Sequence, residues 1–253
     1  MSASYPSLLG RSVFVTGGGS GIGASIVEHL CLQGARVAFA DIDREMSDGL
    51  VRALGDAGHE PPLFIECNLT DIDALRRAID RARDAHGPIR ALINNAANDE
   101  RHAMADVTPQ YWDERMAVNL RHQFFAAQAV HEQMAAAGGG SIVNLGSTSW
   151  MAGQGGMPAY TTAKSAVMGL TRSLARDMGE NDIRVNCVVP GWIMTERQQQ
   201  LWLTPEAEGD LLQRQCLKRK LYPADIARVV VFFASDESSG CTAQSYIVDA
   251  GWI

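Results

Sequence analysis

Two short stretches decide the fold: Ser12-Val-Phe-Val-Thr16-Gly17-Gly-Gly-Ser20-Gly21-Ile22-Gly23 and, after an intervening amphipathic segment, Arg36-Val-Ala-Phe-Ala40-Asp41. Residues 12–16 form a brief apolar run with β-branched members, the pattern of a strand buried on both faces. It runs directly into glycines at 17, 21 and 23, and residues 24–32 then read as a helix. Glycines there let the backbone turn tightly and approach a ligand closely, while unpaired N–H groups and the helix dipole favour a pyrophosphate. A lone Gly-rich turn is weak evidence, but this one follows a strand, opens a helix and leads to a second strand. Asp41 ends that second strand, where a carboxylate accepts hydrogen bonds from adenosine ribose hydroxyls and repels a 2′-phosphate. The nearest arginine is Arg44, since Ile42 and Asp43 come first. NAD is therefore expected rather than NADP. A simpler reading of Asp41, as the cap of the next helix, is weakened by the glycines upstream.

Outward from this unit the same alternation continues. Helices are expected at 43–58, 71–86, 111–137, 158–178 and 223–235, and strands at 62–66, 89–93, 142–145, 183–189 and 246–249. Strands alternating with helices imply a parallel sheet covered on both faces, in a single domain spanning 1–253. Residues 196–220 are mixed helical and polar, the composition of a mobile lid over a substrate, and the lid region is set at about 192–220. The chain has 253 residues and a formal net charge of -7, which argues against nucleic acid or an anionic membrane as partner. No apolar run approaches the ~18 residues of a membrane span. Five scattered cysteines without C-x-x-C spacing read as reduced thiols of a cytoplasmic protein. The histidines have no metal-ligand spacing, so no metal is expected.

The chemistry concentrates in residues 141–164, Ser-Ile-Val-Asn-Leu-Gly-Ser-Thr-Ser-Trp-Met-Ala-Gly-Gln-Gly-Gly-Met-Pro-Ala-Tyr-Thr-Thr-Ala-Lys. Pro158 starts a helix on which Tyr160 and Lys164, four apart, share a face. An ammonium near a phenol stabilises the phenolate and lowers its pKa, giving a base usable near neutral pH. Ser147 lies where a strand end opens into the loop, placed to orient an alcohol or carbonyl oxygen. Alone, a Tyr-x-x-x-Lys pair is more often an ordinary helix pair whose lysine stem covers apolar surface. Asn119 is a polar residue inside an apolar helical stretch. It either bonds backbone, bending the helix, or holds a water on a proton path to Lys164.

Thr16-Gly17-x-x-x-Gly21-x-Gly23, Asn94-Asn-Ala-Ala97, Asn119, Ser147, Tyr160-x-x-x-Lys164 and Pro190-Gly191 together resemble the short-chain dehydrogenase/reductase family over essentially the whole chain. The resemblance implies a Rossmann-type, doubly wound, seven-stranded parallel sheet of order 3-2-1-4-5-6-7. It implies a tetrad of Asn119, Ser147, Tyr160 and Lys164, in which Tyr160 takes the hydroxyl proton and Lys164 holds the nicotinamide ribose. It implies a cofactor groove along Gly17, Ser20, Gly21, Ile22, Gly23, Asp41, Ile42, Asn68, Leu69, Asn95, Ala96, Tyr160, Lys164, Pro190, Gly191, Ile193 and Thr195, the last on the carboxamide. A homotetramer is also implied, with the apolar C-terminus packed at an interface. Two positions depart from the family pattern. Ala97 stands where glycine is usual, narrowing the groove. Asn68 stands where aspartate usually contacts the adenine amino group, a bond its amide oxygen can still accept.

Ser4-Tyr-Pro-Ser7, Asn98-Asp-Glu-Arg-His102, Tyr111-Trp-Asp-Glu-Arg115, Asn119-Leu-Arg-His122, Gln215-Cys-Leu-Lys218 and Asp249-Ala-Gly-Trp252 are similar to bacterial NAD-dependent sugar 1-dehydrogenases, those for D-xylose in particular. This resemblance implies oxidation of an aldopyranose at C1 to a lactone. A polyol needs hydrogen-bonding side chains and an aromatic platform near the tetrad; Asn98, Ser147, Ser149, Trp150, Gln154, Tyr160 and Trp192 are the candidates. Reduction of a 3-oxoacyl thioester or other small ketone is the alternative enzyme reading, and a non-catalytic NAD sensor is the alternative outside enzymes.

Overall fold

A computed structural model describes residues 3–253. Seven strands form one sheet: β1 (Ser12–Thr16), β2 (Arg36–Asp41), β3 (Leu63–Glu66), β4 (Ala91–Asn94), β5 (Gly140–Leu145), β6 (Ile183–Pro190) and β7 (Ser245–Val248). Their order is β3-β2-β1-β4-β5-β6-β7, with every pairing parallel. This is the expected Rossmann-type sheet. The order reverses at β1/β4, the crevice where open α/β sheets bind ligands beyond their strand C-termini.

The helices connecting these strands cover both faces. Successive strand side chains point to opposite sides. Val13 and Val15 of β1, with Val37 and Phe39 of β2, pack on Ile26, Val27 and Leu30 of α1 (Gly21–Leu32) and Val230 and Phe233 of α9 (Pro223–Ala234). Phe14 and Ala38 point the other way, onto Leu75 and Ile79 of α3 (Ile72–His86) and Val130 and Met134 of α5 (His122–Ala136). With both faces covered, all of β1 is buried, which is why its sequence is continuously apolar rather than alternating.

The helix ends follow local chemistry. Asp43 caps α2 (Arg44–Asp56) and Asp71 caps α3, each accepting hydrogen bonds from first-turn N–H groups. The helix expected over 111–137 is divided. α4 (Pro109–Met116) and α5 are joined by a π-helical segment, Ala117–Arg121, centred on Asn119. A side chain that bonds backbone outside the helical ladder disrupts the regular turn, the outcome the polar residue foreshadowed.

Beyond β6 the chain makes an excursion whose ends are pinned together. Met194 N donates to Leu221 O at 2.8 Å, beside a parallel bridge between Ile193 and Leu221. Inside it lie α7 (Glu196–Trp202) and α8 (Pro205–Arg214), capped by Thr195 and Thr204. The catalytic-face helix α6 is Pro158–Met178. Among the described residues, no helix is long and apolar enough to cross a membrane.

Candidate active site

At the C-terminal ends of β1, β2, β4, β5 and β6, one cavity of about 1050 Å³ opens. The sequence-derived residues Gly17, Ser20, Gly21, Ile22, Gly23, Asp41, Ile42, Asn68, Leu69, Asn95, Ala96, Asn98, Ser147, Ser149, Gln154, Tyr160, Lys164, Pro190, Gly191, Trp192, Ile193 and Thr195 all line it. Asn119 and Trp150 do not. Trp150 lies in a separate shallow hollow with Thr161, Thr162 and Ser165, on the outer side of the loop. The loop turns after Ser149, where Gln154 N donates back to Ser149 O. Of the candidate substrate contacts, Trp150 is the one that lines this neighbouring hollow and not the main cavity.

One end of the cavity is built by backbone. Gly17 adopts φ +67°, and a Cβ there would sit 2.7 Å from Ala96 Cα. At Gly23 a Cβ would sit 1.8 Å from Gly17 O, so the third glycine is fixed by the turn itself. Asn95 Nδ2 donates to Gly17 O at 2.7 Å, and Asn94 Nδ2 to Asn144 Oδ1 at 2.9 Å, so the two amides tie adjacent strands together. No side chain caps the N-terminus of α1, in contrast to the capped α2, α3, α7 and α8. Its free N–H groups face the cavity at Gly21, Ile22 and Gly23, the arrangement a pyrophosphate fits. Asp41 Oδ2 accepts from Gly19 N at 2.8 Å, which fixes the carboxylate at the cavity edge with lone pairs to spare. Arg44, the nearest arginine, pairs with Glu66.

Asn68 differs from expectation. Its Oδ1 already accepts from Thr70 N at 3.1 Å and Thr70 Oγ1 at 2.8 Å, so this oxygen is occupied by a local turn rather than held ready for an adenine amino group. Ala97 keeps negative φ, so its methyl is accommodated without strain.

At the other end, Ser147, Tyr160 and Lys164 converge. Lys164 is buried, donates to Leu145 O at 2.8 Å, and lies 5.7 Å from the Tyr160 ring centroid. Burial lowers the Lys164 ammonium to about 8. Tyr160 behaves differently from expectation. Burial raises its phenol above the ordinary value; the nearby Ser147 hydroxyl opposes this, and the charge of Asp99 adds to it. Burial is the largest influence on this phenol. The phenol is thus protonated at neutral pH in this state. Ser147 Oγ donates to Ser149 Oγ at 3.0 Å.

Asn119 acts from behind. Its Oδ1 accepts from Asn98 N at 2.8 Å, and its Nδ2 donates to Asn98 O at 3.1 Å and Arg115 O at 3.0 Å. It clamps the loop following β4 and is satisfied by the π-helical turn.

Part of the wall was not singled out residue by residue, although Asp99, Arg101 and Trp252 lie in stretches that carry the resemblance to sugar dehydrogenases. Asp99, Arg101, Gln198, Trp202 and Trp252 also line the cavity. Trp192 Nε1 donates to Gln198 Oε1 at 2.9 Å, and Gln198 Nε2 donates to Asp99 Oδ2 at 2.5 Å. The Arg101 guanidinium lies 3.9 Å from the Trp202 ring centroid. The available signal was position: these residues follow strand C-termini or belong to the lid, where ligand contacts gather.

Comparison with known proteins follows the same lines. The family pattern described as "Enoyl-(Acyl carrier protein) reductase" matches residues 17–253. The chain is 47% identical over 251 residues to a D-xylose 1-dehydrogenase of Caulobacter vibrioides, covering 99% of each. It is 48% identical over 250 residues to a Rhizobium meliloti protein named "Probable galactose dehydrogenase GalD", covering 99% of this chain and 98% of that one. Among solved structures it resembles a 3-oxoacyl-[acyl-carrier protein] reductase of Brucella melitensis, with a TM-score of 0.90 and 29% identity over 98% of this chain and 94% of the other. Sheet order, glycine turn and the converging Ser147, Tyr160 and Lys164 agree with this match, and the chain belongs to the short-chain dehydrogenase/reductase family, nicotinamide-dependent oxidoreductases acting on CH–OH donors.

Proposed function

We propose that the protein is an NAD-dependent aldose 1-dehydrogenase, oxidising C1 of a neutral sugar, a pentose such as D-xylose, to the lactone. The observation that carries this reading is one continuous cavity. It joins the Asp41 end, through Ser147, Tyr160 and Lys164, to a wall of Asn98, Gln154, Trp192 and Gln198. Such a wall suits a polyol better than an acyl chain, which asks for apolar lining. Identities of 47% and 48% to proteins named for xylose and galactose support the same substrate class.

Asp41 and the engaged Arg44 favour NAD over NADP, because a 2′-phosphate would meet a carboxylate and find no free arginine beside it. The α1 N-terminus would hold the pyrophosphate, and Lys164 and Thr195 the nicotinamide end. Bound NAD supplies the hydride acceptor. In the proposed chemistry Tyr160 first gives up its own proton to solvent; the phenolate Oη then takes the C1 hydroxyl proton, becoming the phenol again, as the C1–H bond breaks with its electron pair. Ser147 Oγ donates to the same sugar oxygen, holding it against the phenol. The Lys164 ammonium favours the phenolate that this step requires, opposing the burial that raises the Tyr160 pKa. Asn119 holds Asn98 and thereby the polar wall. Residues 192–220 serve as a lid, and four copies assemble through the long helices and the C-terminus.

The test is steady-state NADH formation by the purified protein with NAD or NADP and a panel of pentoses, hexoses, secondary alcohols and 3-oxoacyl thioesters. Turnover of aldoses with NAD is the expected result. Activity confined to thioesters or simple alcohols would overturn the sugar reading while leaving Tyr160 as the base.

A further inference from the structure

The loop after β4 is held from three sides. Asn119 clamps Asn98, Asn98 Oδ1 accepts from Glu100 N at 2.9 Å, and His102 N donates to Gly156 O at 2.7 Å. Asp99 is carried at the centre of this fixed loop and lines the cavity together with Tyr160 and Lys164. Through Gln198 it is tied to Trp192 and so belongs to the polar wall of the cavity. Gln198 Nε2 anchors Oδ2 at 2.5 Å, and the other face of that amide holds the Trp192 indole. Oδ1 has no hydrogen-bond donor among the described residues. Arg197 Nε is 3.6 Å away, in an ion pair whose arginine side chain is 54% exposed, a pairing of small energetic weight. The result is a rigid carboxylate with unused acceptor capacity beside an aromatic platform. Neutral hydroxyls satisfy such a group with charge-assisted hydrogen bonds, and anions are repelled by it.

We propose that Asp99 is the specificity-determining residue of the substrate end: its carboxylate accepts hydrogen bonds from ring hydroxyls of a neutral aldose away from C1. This rests on the aldose reading above. It also assigns Gln198 as a positioning residue, coupling hydroxyl recognition to the placement of α7.

The experiment is an enzyme–substrate cycle. The parent aldose and its monodeoxy analogues are compared on the wild type, the near-isosteric Asp99→Asn, and Asp99→Ala, with melting temperature and NAD affinity measured as folding controls. For the parent aldose, kcat/KM is expected to fall roughly 10- to 100-fold in Asp99→Asn, mainly through KM. For the analogue lacking the bonded hydroxyl, the same substitution should cost little, because the wild type has already lost that bond. Equal losses on the parent and every analogue would mark a purely structural role through Gln198 and overturn the proposal, as would no change in either variant. A wild type silent on every aldose would instead remove the sugar reading, and the Asp99 proposal with it.

Discussion

Gly17 and Gln198 line the same cavity but are held there by different means. Gly17 is fixed by backbone: its φ of +67°, the Ala96 backbone against it and the Asn95 amide on its carbonyl leave it one conformation. Gln198 is fixed by side chains reaching across the lid, to Asp99 on one side and Trp192 on the other. The contrast extends to what surrounds them. Around Gly17 lie fully buried strands of the sheet. Around Gln198, α7 contributes no fully buried residue, and Leu201 is 54% exposed. A floor built from close backbone contact tolerates no added atom. A roof built from side-chain hydrogen bonds can open and reclose, because each bond contributes only about 1 kcal/mol net.

The largest expected effect lies in the floor. Gly23→Ala places a Cβ 1.8 Å from Gly17 O, so the turn must rearrange. Dinucleotide binding should be lost, with destabilisation of at least about 3 kcal/mol in denaturant titration. A variant that binds NAD normally would break the floor side of the contrast. Next is Tyr160→Phe. Turnover should drop roughly 10²- to 10⁴-fold, with NAD affinity retained by fluorescence titration.

Lys164→Met sharpens the picture through pH. Burial depresses the Lys164 pKa from 10.5 to about 8, so between these values the unfolded chain binds more protons than the folded one. Stability from this group therefore rises with pH across that window. Below about pH 8 the buried ammonium is carried at full cost. Urea titrations from pH 7 to 10.5 should show the wild type gaining on Lys164→Met; parallel curves would mean the amine is not desolvated as described.

The smallest effect belongs to the roof. Gln198→Ala should raise KM for the aldose several-fold and leave NAD affinity unchanged, the scale of one or two hydrogen bonds. A loss as large as that at Gly23 would mean the lid is as rigid as the floor.

The same contrast explains what could be read without coordinates. The floor was legible because backbone requirements leave marks at fixed spacing: Gly17, Gly21 and Gly23 after a buried strand, then Asp41 at the next strand end. The seven-stranded order was implied by resemblance and is observed. The π-helical turn was hinted at by a lone Asn119 among apolar neighbours, though its extent was not. The roof was illegible because Asp99 and Gln198 lie far apart in sequence, and a pairing between them follows no periodicity. The Tyr160 pKa was misjudged because a spacing of four residues says nothing of desolvation.

The most direct measurement uses an aldose deuterated at C1, with NAD and the wild-type protein, followed by mass spectrometry of both products. Deuterium on the reduced nicotinamide, together with the unlabelled lactone, is the expected result. Reduced cofactor without deuterium would contradict hydride transfer from C1, and so would no reduction at all.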